Sequence, residues 1–276
     1  MFYEGSEKRL EITSTLNLLE FDEDFWQEMV KQAGAFIISK IENEQIKAFL
    51  LSESSLFVWK NRLLLITCGE THLLQAALFF QKAVQRQEIT SLLFQRHQAH
   101  YPERQKSSFQ QDSLQLQNKL KGNSQHWSKG YCGDIFLFGN NQQANPTKNI
   151  FMLHELGSVF FEELQKGKVD TSRVAKQLKL TSYFNGFSID QYSFEPKGYS
   201  LNAIDGERYF TLHITPEKLS SYISFESNLS AHEVSVFQQH LSVLFQPQRA
   251  YLMLFNATKQ KLNIETRQVT TQAVAI

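Results

Sequence analysis

Two short runs hold the residues whose types suggest chemistry: Leu51-Ser52-Glu53-Ser54-Ser55-Leu56-Phe57-Val58 and Arg62-Leu63-Leu64-Leu65-Ile66-Thr67-Cys68-Gly69. Ser54 offers a hydroxyl next to the Glu53 carbonyl, and Cys68 a thiol able to act as nucleophile or proton donor. A polar step inside an apolar run, a turn at Lys60-Asn61 and a second apolar run ending in Cys-Gly place both groups near the ends of neighbouring strands. Further on, Leu212-His213-Ile214-Thr215-Pro216-Glu217 adds an imidazole and a carboxyl group. Taken singly, each also reads as ordinary structure. A Ser-Glu-Ser step makes a turn, Cys68 a small core residue, His213 a satisfied strand histidine, Phe194 a core ring, and Glu217 after Pro216 a helix start. The eight histidines lack ligand spacing and Cys68 and Cys132 stand apart, so no metal is expected.

The elements that must position these groups follow from periodicity. Residues 9–16 read as a strand. Phe21, Phe25, Met29 and Val30 give residues 21–32 a helical face, with Asp22, Glu23 and Asp24 at the favourable end of the dipole. Runs 35–40, 47–52, 55–59 and 62–68 are joined too closely for crossover helices and form an antiparallel set. Residues 71–86 give a helix with Leu74, Ala77, Leu78 and Val84 inward. The stretch 97–129 is polar, with a helix near 109–120, and is followed by a strand at 131–138. Met152, Leu156, Val159, Phe160 and Leu164 suggest a helix over 150–166. Strands near 187–195, 199–204, 208–214 and 222–226, a helix at 231–244 and a strand at 250–256 repeat the outline of the first third. Pattern alone reaches an α+β class, one domain of two similar halves, and residues 259–276 are expected to fray.

The chain has 276 residues, 42% hydrophobic, with 28 basic against 28 acidic side chains. The balanced charge gives no reason to expect nucleic acid as a partner. No apolar run is long enough to span a bilayer and no signal segment opens the chain, so a cytoplasmic protein without a membrane partner is expected. Two cysteines cannot build a disulfide scaffold, which suits a reducing compartment.

The segment from Leu51 to Val58 resembles the self-cleavage site of the eukaryotic-type, pyruvoyl-dependent S-adenosylmethionine decarboxylase proenzymes. Phe2-Tyr3-Glu4-Gly5-Ser6-Glu7-Lys8 is similar to the amino-terminal motif of that family, Thr67-Cys68-Gly69 to its cysteine segment, and Gly130-Tyr131-Cys132-Gly133 to a further one. Phe194 to Asn202, His213 to Glu217 and Ser224 to Asn228 resemble its later motifs, in family order. The resemblance implies a four-layer αββα sandwich of two mainly antiparallel sheets with helices outside. It also implies cleavage between Glu53 and Ser54 into chains 1–53 and 54–276, which stay together, either as one processed heterodimer or as a homodimer of them.

Decarboxylation of an amino acid needs an electron sink that no standard side chain supplies. The resemblance implies a pyruvoyl cofactor made from Ser54, which condenses with the substrate amine. It assigns Ser200, His213 and Glu7 to processing with Glu53 and Ser54, and Cys68, with Glu4 and Glu7, to catalysis. Cys68 would return a proton to the substrate α-carbon. Tyr3 and Phe194 would sandwich adenine, Glu217 would accept from the ribose hydroxyls, and Leu51 would offer backbone contacts. The product would be decarboxylated S-adenosylmethionine, the aminopropyl donor for spermidine synthesis.

Some positions depart from the family. Glu195 and Lys197 replace the Asn and Cys of animal members, which keeps ornithine and arginine as alternative substrates. A catalytically dead regulatory partner is a further alternative. Glu11 and Glu226 resemble members of a diamine-activation network. Pro146, Ile150 and Ile66 replace its other charged residues, and Lys148 adds a positive charge, so little activation by putrescine is expected.

Overall fold

The computed structural model describes residues 7–99, 101–139, 147–167, 169–217, 220–257 and 262–269. The chain divides between residues 145 and 146 into two compact units, apart from a few residues near the chain ends.

The first unit contains β1 (Lys8–Ser14), α1 (Glu23–Ala33), β2 (Ile37–Glu42), β3 (Ile46–Leu51), β4 (Ser54–Trp59), β5 (Arg62–Thr67), α2 (Leu73–Ala83), β6 (Ile89–Arg96), α3 (Phe109–Leu120), β7 (Ser124–Ser128) and β8 (Asp134–Gly139). Its strands form one sheet in the order β2-β3-β4-β5-β1-β6-β8-β7, with every neighbour antiparallel. Alternation sends Leu10, Ile12, Leu56, Val58, Leu63, Leu65, Leu92 and Phe94 to one face, where Trp26, Met29 and Val30 of α1, Leu74, Ala77 and Phe80 of α2 and Leu116 of α3 cover them. The intervening residues Arg9, Glu11 and Gln95, all buried, fall on the other face. α1 begins where the Asp22 carboxylate accepts from the Phe25 N–H at 2.8 Å and ends at Gly34, whose φ of 89° stops the helix. The polar helix expected near 109–120 is α3, closed by reciprocal bonds between Ser108 and Gln111.

The second unit contains β9 (Lys148–His154), α4 (Val159–Gln165), α5 (Thr171–Leu178), α6 (Leu180–Tyr183), β10 (Ser188–Ser193), β11 (Tyr199–Asp205), β12 (Arg208–Thr215), β13 (Tyr222–Ser227), α7 (Ala231–Phe245), β14 (Arg249–Ala257) and β15 (Leu262–Val269). The sheet order is β10-β11-β12-β13-β9-β14-β15, antiparallel from β10 to β14. Leu201, Leu212, Ile214, Ile223, Phe225, Phe151 and Leu153 pack against Phe160 and Phe161 of α4, Val174 of α5 and Phe237 and Leu241 of α7. The architecture is α+β, two mainly antiparallel sheets of 8 and 7 strands with helices on a face of each.

Two expectations need correction. The single helix over 150–166 is instead strand β9 followed by α4. β9 runs between β13 and β14 with both faces buried, so its Ile150-Phe151-Met152-Leu153 run carries no alternation to separate it from a buried helix. The helix starts only where the Ser158 hydroxyl accepts from Phe161 N–H at 3.1 Å, and Val159 points outward. Within the segment expected to fray, residues 262–269 form β15 beside β14, anchored by buried Leu262 and Ile264. β6, unassigned from sequence, is a central strand between β1 and β8.

Candidate active site

The β3–β4 hairpin turns on two residues, Ser52 and Glu53, with Leu51 opposite Ser54. Ser52 is held on both sides of its backbone: its N–H donates to Phe36 O at 2.9 Å and its hydroxyl accepts from Phe36 N–H at 3.1 Å. Ser54 has a φ of 137°, a left-handed value that costs a non-glycine residue about 1–3 kcal/mol. The strain sits at the buried residue whose hydroxyl follows the Glu53 carbonyl. That carbonyl accepts from the Cys68 backbone N–H at 3.1 Å, and the Cys68 thiol lies 3.6 Å from Glu53 Oε2. Register explains the approach: Ser54 is opposite Thr67 across β4 and β5, so Cys68 is the first residue past the pair. Burial pushes the Glu53 carboxyl above the usual range, while the thiol hydrogen bond and the Lys8 charge pull it back.

A lysine holds the Cys68 loop. Lys8 Nζ, buried at the start of β1, donates to Gly69 O at 2.7 Å, Thr71 O at 2.8 Å and Thr71 Oγ1 at 3.3 Å. Thr71 in turn donates to Cys68 O at 2.7 Å, and Gln105 Nε2 reaches Gly69 O at 3.2 Å. Burial, then the Arg96 charge, lowers the Lys8 ammonium to about 7, against the opposing pull of Cys68, Asp112 and Glu53.

Glu7, just ahead of β1, is buried and ion-paired through Oε2 to the Arg9 guanidinium. Arg9 Nη1 lies 2.7 Å from His97 Nε2, and Gln95 Nε2 lies 3.2 Å from the same nitrogen. A guanidinium only donates, so Nε2 is the accepting nitrogen of His97.

In the second unit Ser200 and His213 face each other across β11 and β12, with Ser200 Oγ 2.9 Å from His213 Nδ1. Thr211 Oγ1 lies 2.8 Å from His213 Nε2 and donates to Leu201 O at 2.9 Å. With the hydroxyl proton on Leu201 O, Thr211 accepts from Nε2–H, leaving the Nδ1 lone pair toward Ser200 and available as a base. Phe194 follows β10 in a turn closed by Phe194 N–H to Gly198 O at 2.9 Å, its ring edge-on to Tyr192. Glu217 is buried beyond β12 and hydrogen-bonded to the Ser220 hydroxyl. Glu195 is exposed and Lys197 half-buried. The Leu51 side chain belongs to the helix-covered core, leaving its backbone for contacts. Tyr3, Glu4 and Pro146 lie outside the described residues.

Both acids of the suspected activation network have a cation. Arg62 Nη1 is 3.2 Å from Glu11 Oε1 in the first unit. In the second, Lys148 Nζ is 3.6 Å from Glu226 Oε1 and 4.8 Å from the centre of the Phe255 ring, while Tyr209 OH donates to Glu226 at 2.7 Å. Ile150 stands opposite Glu226 and Ile66 is fully buried. The sequence reading missed Lys8, Arg9, Arg62, Thr71 and Thr211. The available signal was charge in a short strand: Lys8, Arg9 and Glu11 stand within a β1 that is buried throughout, and buried ions need partners.

Comparison with known proteins places the chain in a family. The family described as adenosylmethionine decarboxylase matches residues 1–275. The chain is 30% identical to the S-adenosylmethionine decarboxylase proenzyme of Trypanosoma cruzi, over 92% of this chain and 75% of that protein. It is 29% identical to the proenzymes of Leishmania donovani and Dictyostelium discoideum, again over 92% of this chain and over 73% and 74% of theirs. Among solved structures, the Trypanosoma brucei AdoMetDC-delta26 monomer superposes with a TM-score of 0.59 at 24% identity, covering 72% of this chain and 79% of that one, which supports the fold. With ordered motifs, fold and family match in agreement over nearly its whole length, the chain belongs to the adenosylmethionine decarboxylase family, self-processing pyruvoyl-dependent carboxy-lyases acting on S-adenosylmethionine.

Proposed function

We propose that this chain cuts itself between Glu53 and Ser54, that Ser54 becomes the pyruvoyl group, and that Cys68 is the proton donor in turnover. The observation that carries the reading is the hairpin itself: a strained Ser54 next to a carbonyl that accepts from the Cys68 N–H. Attack of Ser54 Oγ on the Glu53 carbonyl carbon moves negative charge onto that oxygen, where the Cys68 N–H is already directed. Breaking the Glu53–Ser54 C–N bond releases the strain and leaves Glu53 esterified to Ser54, with a free amine on residue 54. Removal of the Ser54 α-proton expels the Glu53 carboxylate and leaves a dehydroalanine, which loses ammonia on hydrolysis. His213 takes the role of base, with Ser200 on its Nδ1 and Thr211 fixing its tautomer; Glu7, held by Arg9, assists.

The pyruvoyl carbonyl supplies the electron sink for loss of carbon dioxide from the substrate amino acid. Cys68, held by Lys8 and Thr71, then delivers a proton to the substrate α-carbon. Phe194 and Tyr3 offer aromatic faces to adenine and the sulfonium cation, Glu217 accepts from the ribose hydroxyls, Leu51 contributes backbone, and Glu4 joins the catalytic set. Chains 1–53 and 54–276 stay together because β3 and β4 pair from Ile46↔Trp59 to Leu51↔Ser54, leaving the strands on either side of the cut in one sheet. Two cysteines outside any disulfide suit a reducing, cytoplasmic setting; among the described residues no helix is long and apolar enough to cross a membrane.

Intact mass tests the reading. The purified protein separates into two fragments, the larger one amino-terminally blocked, and decarboxylates S-adenosylmethionine in preference to ornithine and arginine. Ser54→Ala remains one 32.0 kDa chain, and His213→Ala accumulates the ester, which hydroxylamine cleaves. Decarboxylation by a preparation whose 53–54 bond is intact overturns the reading, and a permanently uncut, inactive chain points instead to a regulatory homologue.

A further inference from the structure

The geometry points to Gln165 at the end of α4, Gly167 just beyond it and Thr171 at the start of α5 as a brace that positions the nucleoside-binding residues. The inference rests on reading Phe194 and Glu217 as substrate contacts and adds the element that sets their spacing. Three separate links leave these residues. Gln165 Nε2 donates to the Glu217 backbone carbonyl at 2.9 Å. Gly167, at a φ of 65°, lies against the carbonyl of Pro196 in the Phe194–Gly198 turn: a Cβ there would sit 2.3 Å from Pro196 O. Thr171 Oγ1 donates to Ser193 Oγ, the residue before Phe194, at 3.0 Å. One end of the brace therefore fixes the strand exit that carries Glu217, and the other fixes the turn that carries Phe194.

The two residues leave the sheet from β12 and β10, separated by β11, so no ladder hydrogen bond joins their loops to each other. The brace ties them instead, and its own position is set by Phe161, Leu164 and Val174 in the core of the unit. Ser220 holds the Glu217 carboxylate by its side chain, while Gln165 holds the same residue by its backbone. Loss of the brace would let an aromatic face and a ribose acceptor drift apart without touching the reacting carbon, which raises KM more than it lowers kcat.

The test uses the fully self-cleaved enzyme, with KM and kcat for S-adenosylmethionine, the self-cleavage half-time and Tm measured for each variant. Gln165→Leu, a half-buried change at a helix end, raises KM about five-fold, in line with one lost hydrogen bond, and keeps kcat within about two-fold. Gly167→Ala raises KM about ten-fold because the added carbon meets backbone. Gly167→Asn separates the causes, since asparagine tolerates the left-handed conformation yet keeps the Cβ, and it raises KM as alanine does. Normal KM in Gln165→Leu and Gly167→Asn, alongside raised KM in Phe194→Ala and Glu217→Gln, overturns the brace and leaves the site reading intact. Normal KM in Phe194→Ala and Glu217→Gln overturns both. A parallel fall of kcat, cleavage rate and Tm in the brace variants makes these residues merely structural and also overturns the proposal.

Discussion

The two units use one strand plan for different chemistry. Removing the outermost β7, β8 and β15, the orders β2-β3-β4-β5-β1-β6 and β10-β11-β12-β13-β9-β14 coincide element for element. The hairpin β3–β4 then corresponds to β11–β12, and both turn on two residues, with Leu51 opposite Ser54 and Asp205 opposite Arg208. In the second unit the positive φ, 60°, falls on Gly206, where a missing Cβ makes it inexpensive. In the first it falls on Ser54. The positive φ thus sits on a glycine within the turn of one hairpin, and in the other on Ser54, the first residue of the returning strand, beside the peptide bond proposed to break. Each central strand also opens on a buried lysine, but Lys8 gives its protons to neutral oxygens of the Cys68 loop while Lys148 pairs with the Glu226 carboxylate. The positive φ at Ser54 and the lysine bound to carbonyl and hydroxyl oxygens thus both belong to the unit carrying Cys68.

The largest expected consequence concerns the lysines. Lys8→Met frees the Cys68 loop and lowers kcat about a hundred-fold, the scale of a catalytic group displaced by about 1 Å. It also changes stability with pH. Because the folded value of Lys8 is lowered to about 7, below its ordinary value, the unfolded chain binds more protons between those two values. Stability therefore rises with pH across that window and flattens in Lys8→Met. Urea unfolding at several pH values checks the slope, and an unchanged slope in the variant breaks the contrast between the lysines. Smaller in size is the hairpin comparison. In uncleaved protein, Ser54→Gly is more stable than Ser54→Ala by about 1 kcal/mol, and Gly206→Ala costs about 1 kcal/mol. Equal midpoints for the two residue-54 variants would remove the strain from the account. The smallest effect is that of added putrescine, which changes the decarboxylation rate less than about two-fold, since Arg62 and Lys148 already sit on Glu11 and Glu226 and a diamine gains little there. Strong stimulation would show that the Lys148–Glu226 pair yields to a ligand.

Much of this was legible in the chain. Short strands with tight turns over 35–68 declared an antiparallel hairpin set, and Ser108 with Gln111 is a start signal that the structure uses. β9 was not legible, because a strand buried on both faces loses its alternation, and β15 was missed because a polar sequence, NIETRQV after Leu262, holds its place through two buried apolar residues. Sequence alone determined which residues carry hydroxyl, thiol, imidazole and carboxyl chemistry, and in what order, since residue type and motif spacing are properties of the chain. Tertiary structure decided that Lys8 reaches Gly69 and Thr71, that Thr211 and Ser200 flank the two ring nitrogens of His213, and that the positive φ falls on Ser54 and not on its neighbours. Those depend on strand register and on burial, which strengthens each polar contact by removing water, and neither exists before the sheets form.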